Sequence, residues 1–214
     1  MQPSEGNAFL ARYTPGFVSE QLDHLSKCGG MFIAFTWEDT GPQVVASRNV
    51  LLYIDSQWRR LHGWHRGPCD VLAFITRNLM ELYFWTKRIV QSAELAQQFL
   101  NESDVEQQEL FKEHLKIEPE NDDASLARSL LKVLSNEWTG HRTRFEKTDK
   151  YEPLVYKECS KYIHASPWLI NNLCRMHDPY VRRELIAYTL HYLVNINHLI
   201  LASHPRTRFL TESE

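Results

Sequence analysis

Four side chains of this sequence carry charges where charges should be rare. Arg77 and Glu81 are four residues apart inside the apolar run AFITRNLMELYFWTKRIV, and Lys161 and His164 are three apart inside YKECSKYIHASPW. At helical spacing each pair shares one face of its helix. An unpaired buried charge costs several kcal/mol, so these groups are expected to pair. If the two helices face each other, Glu81 accepts from Lys161 or His164, which would fix the imidazole tautomer and favour its charged form. Two readings follow. In one, the set is a polar core that sets helix register. In the other it is a catalytic site, with His164 as base, Lys161 and Arg77 stabilising developing negative charge and Glu81 orienting the imidazole.

A second set lies near the C-terminal end. Tyr188, His191, Asn195 and His198 fall within an arc of about 80° on one helix. The arrangement fits a half-wet binding face. His191 and His198 are two turns apart and would need a ligand from another helix to hold a metal, so no metal site is expected. Asn197 falls on the apolar side of the same helix and requires a partner there. A third set, Arg59, Arg60, Trp64 and His65, mixes cations with an indole that could meet a phosphate backbone and stack on a base. Arg59 and Arg60 stand at the R-x(4–6)-H spacing of the HEPN ribonuclease superfamily. In that superfamily the arginine and histidine act at the 2′-hydroxyl and scissile phosphate of RNA. That spacing would make His65 the alternative base.

The elements that must position these residues read as helices. Pro15, Pro42, Pro153 and Pro179 each stand where a helix would begin, the last behind the capping residue Asp178. The segment FVSEQLDHLSKC is expected to form a short helix closed by Gly29-Gly30, and FIAF after it could be a strand, though an isolated strand has no partner. In the next helix Val45, Asn49, Leu52 and Ser56 are expected to share a face. One long helix is expected from Asp70 to about Leu100, and the final helix should stop at His204-Pro205. About seven helices give an all-α, bundle-like single domain over 1–214, with a possible N-terminal subdomain over 1–66 and a core bundle over 67–214.

Composition narrows the class further. The chain has 214 residues, enough to bury a real core, and only 8 glycines, which disfavours a turn-rich sheet fold. A formal net charge of −3 carries no global nucleic-acid signature. The four cysteines, Cys28, Cys69, Cys159 and Cys174, are widely spaced, as expected of reduced thiols in the cytoplasm. No leader sequence is visible in MQPSEGNAFLARYTPG, and the apolar stretches near 71–90 and 185–202 are broken by polar residues, so no membrane span and no membrane partner are expected. No anion-binding loop or other cofactor motif is visible, and no cofactor is expected.

The run RNLMELYFWTKRIV, followed by YKECSKYIHASPW, resembles a family of uncharacterised prokaryotic helical proteins. Its members carry an R-N-x-x-E-like helix and a later S-K-x-x-H-P-T or close variant. The motif positions here are Arg77, Asn78, Glu81, Ser160, Lys161 and His164. This chain reads His164-Ala165-Ser166-Pro167, which places the proline two residues later than the family pattern. The resemblance covers about 70–170 and implies an all-helical domain. Some relatives are similar to abortive-infection and other defence-associated proteins. The leading expectation is a helical protein acting by macromolecular interaction, with a protein partner, a second copy or RNA. The alternatives are a metal-independent ribonuclease and a small-molecule or metal-binding bundle.

Overall fold

Thr14 begins the first long helix by accepting the Phe17 amide on its side chain, with Pro15 in the first turn (α1, Pro15–Phe35). The computed structural model describes residues 10–64, 67–101, 112, 128, 152–163, 170–171 and 173–211. Gly29 and Gly30 do not end α1. Each glycine costs about 1 kcal/mol relative to alanine, but burial of Leu25, Cys28 and Phe32 on the same helix outweighs that cost. Neither glycine takes a positive φ. FIAF is therefore the last turn of a helix and not a strand. The helix stops at Thr36, whose amide and hydroxyl both donate to Phe32 O.

The second helix (α2, Pro42–Trp64) starts at its proline, as the sequence predicts. Its buried line is Ala46, Val50, Ile54, Gln57 and Leu61. Asn49, Leu52 and Ser56, expected to share a face with Val45, are exposed. The third helix (α3, Cys69–Gln91) is buried along Leu72, Ile75, Thr76, Leu79, Met80 and Ile89. It does not continue unbroken to Leu100. Ser92 adopts an extended conformation, and its hydroxyl caps a new helical stretch over 93–101 by accepting the Leu95 amide. A serine side chain competes with the helix for backbone partners and favours caps.

Val155, Cys159 and Tyr162 form the buried stripe of the fourth helix (α4, Glu152–Ile163). After a 3-10 turn at Leu173–His177, Asp178 caps the last long helix (α5, Pro179–Ser203) by accepting from the Tyr180 and Val181 amides. His204, with Pro205 behind it, ends α5 as expected, and a second 3-10 turn covers Arg208–Thr211. Among the described residues there is no strand, so the protein is all-α, with a helix count close to the seven expected.

The most extensive packing is between α3 and α5. Cys69 Sγ approaches Asp178 O, Thr76 Oγ1 approaches Leu185 O, and the Tyr83 and Tyr192 rings meet at 5.8 Å. The first two pairs are both 109 residues apart in sequence, as is the third, so α3 and α5 run parallel and in register. Across this seam the buried hydroxyls of Thr76 and Thr189 meet at 2.8 Å, and each also bonds a carbonyl four residues back on its own helix. By contrast α2 is antiparallel to α3, with Gln43 reaching Ile89 O and Val90 O and Tyr53 reaching Asn78. One buried cluster draws on α1, α2, α3, α4 and α5, with Ala96 from the 93–101 stretch. The apolar window of α5 is long enough to cross a membrane, with a mean hydropathy of 1.3, and 61% of it is buried inside the protein.

Candidate functional site

The two charged clusters lie on helices that pack together, but their pairing differs from expectation. Arg77 Nε meets Glu81 Oε1 at 3.3 Å along α3, as the four-residue spacing predicts. The link to α4 is Tyr156, absent from the sequence-based set. Arg77 Nη2 donates to Tyr156 Oη at 2.6 Å, and the guanidinium carbon lies 4.4 Å from that ring's centroid. Glu81 does not meet Lys161. Lys161 instead donates to Glu158 Oε2 at 2.6 Å, one turn back on its own helix. A carboxylate within the same helix is reached with less ordering cost than one on a neighbour. Ser160 donates to Tyr156 O. His164 lies outside the described residues. Among the described members, Arg77, Glu81 and Lys161 are part-buried, and each is in an ion pair along its own helix.

Three of the four α5 stripe residues come together around a cavity of about 520 Å³. Tyr188, His191 and Asn195 line it from α5, and Tyr83 lines it from α3. The opposite wall is Arg12, Tyr13, Phe17 and Gln21, at and before the start of α1. Its volume falls in the range of small-molecule pockets, about 300–1,000 Å³. His198 does not line it and is exposed.

Ring packing builds the walls. Tyr13 meets Phe17 edge-to-face at 5.8 Å, and His191 meets Tyr192 edge-to-face at 5.4 Å. The Asn195 amide nitrogen is held on His191 O at 2.7 Å. Tyr188 donates to Glu184 Oε1 at 3.2 Å. Burial and then the neighbouring Glu184 carboxylate push the Tyr188 phenol up to about 12, so it stays a donor. Burial also raises Glu184 above its ordinary 4.5, against the opposing hydrogen bond from Tyr188. On the apolar side of α5, Asn197 donates to Leu193 O at 3.1 Å, while its Oδ1 has no partner.

Of the third set, Arg60 is exposed on α2. Arg59 and Trp64 belong to the same helix but their side chains lie outside the described part of the structure, as does all of His65. A polar cluster that the sequence did not reveal joins the ends of α1 and α5. Asp39 Oδ2 meets His204 Nε2 at 3.1 Å, and the Arg206 amide donates to His204 Nδ1 at 3.3 Å. Arg48 from α2 caps the end of α1 by donating to Thr36 O, Trp37 O and Asp39 O. Nδ1 thus accepts within its own turn while Nε2 joins distant chain segments, with the tautomer assigned from this bonding pattern.

The described cysteines are free thiols. Desolvation pushes Cys69 up to about 11 and Cys159 up to about 12, which leaves both as inert core groups. Among the described residues no three His, Cys, Asp or Glu side chains gather in a metal-holding group. Compared with known proteins, the chain matches no family model, no curated protein and no solved structure.

Proposed function

We propose that this chain is a binding protein whose helices hold a small molecule with a flat, apolar body in the cavity between the start of α1, α3 and α5. The observation that carries this reading is the cavity itself, preformed at about 520 Å³ and walled by four tyrosines, Phe17 and His191. Aromatic walls with a few fixed polar groups are the usual composition of such sites. The charged seam between α3 and α4 favours binding over catalysis. Its described cations are each engaged by a partner, Arg77 by Glu81 and Tyr156 and Lys161 by Glu158. The proposed setting is an aqueous, reducing compartment such as the cytoplasm. Free thiols and the burial of most of the apolar window of α5 support it.

The test uses a neutral aromatic probe, N-phenyl-1-naphthylamine, whose fluorescence rises in apolar surroundings. Saturable binding at one site per chain is expected. Ala187→Phe and, separately, Val194→Phe place a ring in the cavity and should abolish that binding while the circular dichroism spectrum is retained. Unchanged binding in both variants, or only weak non-saturating uptake by the parent protein, sinks the reading.

A further inference from the structure

Resting on that reading of the cavity, we infer that its ligand is an amino-substituted nitrogen heterocycle of the purine type. Its ring lies between Phe17 and Tyr188, and its edge is recognised by the carboxamides of Gln21 and Asn195. Two helices present the same pair of groups. On α1, Phe17 and Gln21 are one turn apart on one face. On α5, Tyr188 is two turns from Asn195, with His191 between them. All five side chains line the cavity. The two helices run parallel, since the start of α1 faces the middle of α5 across the cavity and Phe32 meets His204 further on, with ring centroids at 6.0 Å. Counted back along both helices at a common rise of about 1.5 Å per residue, Phe17 stands level with Thr189, beside Tyr188. Gln21 stands level with Leu193, between His191 and Asn195. Rings therefore face rings at one level, and the carboxamides stand together one turn further on.

The hydrogen-bonding groups at that second level are unspent. Gln21 is half-buried, and its carboxamide has no hydrogen-bond partner in the described structure, which leaves a donor and an acceptor side by side. The Asn195 amide nitrogen donates to His191 O at 2.7 Å, which fixes the orientation of the amide and leaves Oδ1 as an acceptor. Both His191 ring nitrogens lie 3.4 Å from the same amide nitrogen, so imidazole and carboxamide form one polar strip. A guest that complements this level carries a ring nitrogen beside an exocyclic amine. The amine donates to Gln21 Oε1 while the ring nitrogen accepts from Gln21 Nε2, the bidentate pair that a carboxamide makes with adenine. The second N–H of the amine is left for Asn195 Oδ1. A lactam edge has one N–H, which Gln21 would take, and Asn195 Oδ1 would be desolvated without a partner. The faces of the heterocycle meet aromatic walls, against which planar bases stack favourably.

9-Methyladenine and 9-methylpurine differ by that one amine, and their competition with N-phenyl-1-naphthylamine tests the assignment. 9-Methyladenine is expected to displace the fluorescent probe at least about tenfold more effectively, the discrimination a bidentate pair supplies. Gln21→Leu removes both halves of the pair. It should lower that ratio to about twofold while N-phenyl-1-naphthylamine still binds at one site and the circular dichroism spectrum is retained. Gln21→Met, which keeps the length of the side chain, should do the same. Asn195→Ala should weaken 9-methyladenine more than 9-methylpurine. Equal displacement by the two compounds, displacement by neither, or a ratio that survives both Gln21 variants overturns the heterocycle assignment and leaves the cavity reading intact. Failure of N-phenyl-1-naphthylamine itself to bind at one site, or its indifference to Ala187→Phe and Val194→Phe, overturns the cavity reading instead.

Discussion

At the scale of single residues, the chain handles charge inside apolar helices by pairing locally first. Arg77 takes Glu81 one turn on, and Lys161 takes Glu158 one turn back. Tyr156 ties Arg77 to the neighbouring helix, through a hydrogen bond of 2.6 Å and the face of its ring. Tyr156→Phe keeps the ring and removes the bond. It is expected to cost about 1 kcal/mol at this half-exposed position, or 2–4 °C in melting temperature by calorimetry. A variant as stable as the parent would show that the bond contributes nothing net. Glu184 gives a pH-dependent counterpart. Its folded-state pKa is raised by burial above 4.5, so its contribution to stability is full below that value and is lost as pH rises through the folded pKa. Glu184→Gln still accepts from Tyr188 but carries no charge. At neutral pH it is expected to melt higher than the parent, the gain being limited by half-exposure, and to flatten the stability profile above pH 4.5. Parallel profiles for the two proteins would contradict this assignment.

At the scale of elements, the starts of helices were legible because their determinants are local. Proline in the first turn and a preceding Thr14 or Asp178 work within four residues. The ends were less legible. Gly29-Gly30 looks like a stop, yet the decisive term is burial of Leu25, Cys28 and Phe32 against distant helices. Ser92 reads as one polar residue among many, and its capping role depends on the 93–101 stretch turning away from α3. Gly30 itself can be tested. A Cβ at this position meets nothing within 4 Å, and its φ is not positive. Gly30→Ala is expected to stabilise the protein by about 0.5–1 kcal/mol, read as a higher denaturation midpoint with an unchanged m-value. The candidate site was half legible. The α5 stripe gave Tyr188, His191 and Asn195 because a helix repeats every 3.6 residues. The facing wall of Arg12, Tyr13, Phe17 and Gln21 has no local signature. Nothing in the sequence near Tyr13 announces that it will meet residues more than 170 positions away.

At the scale of the whole molecule, the parallel arrangement of α3 and α5 governs how the chain can assemble. Antiparallel neighbours such as α2 and α3 join through a short connection, but parallel neighbours need a return path along the full helix length. For the 23 residues of α3 that path is about 34 Å. The central seam therefore closes across 109 residues, at a length-dependent entropy cost of about 4 kcal/mol before its contacts compensate. Most all-helical proteins fold quickly because their contacts are local. This one is expected to gain helix signal early, with burial of Tyr83 and Tyr192 lagging behind it in stopped-flow refolding. Coincident traces by circular dichroism and tyrosine-sensitive fluorescence would refute that order. The same long closure builds the α3–α5 wall of the cavity, so the ligand site exists only after that slow contact has formed. Binding competence, followed by probe fluorescence during refolding, is thus a clock for the completion of folding and not for the formation of helices.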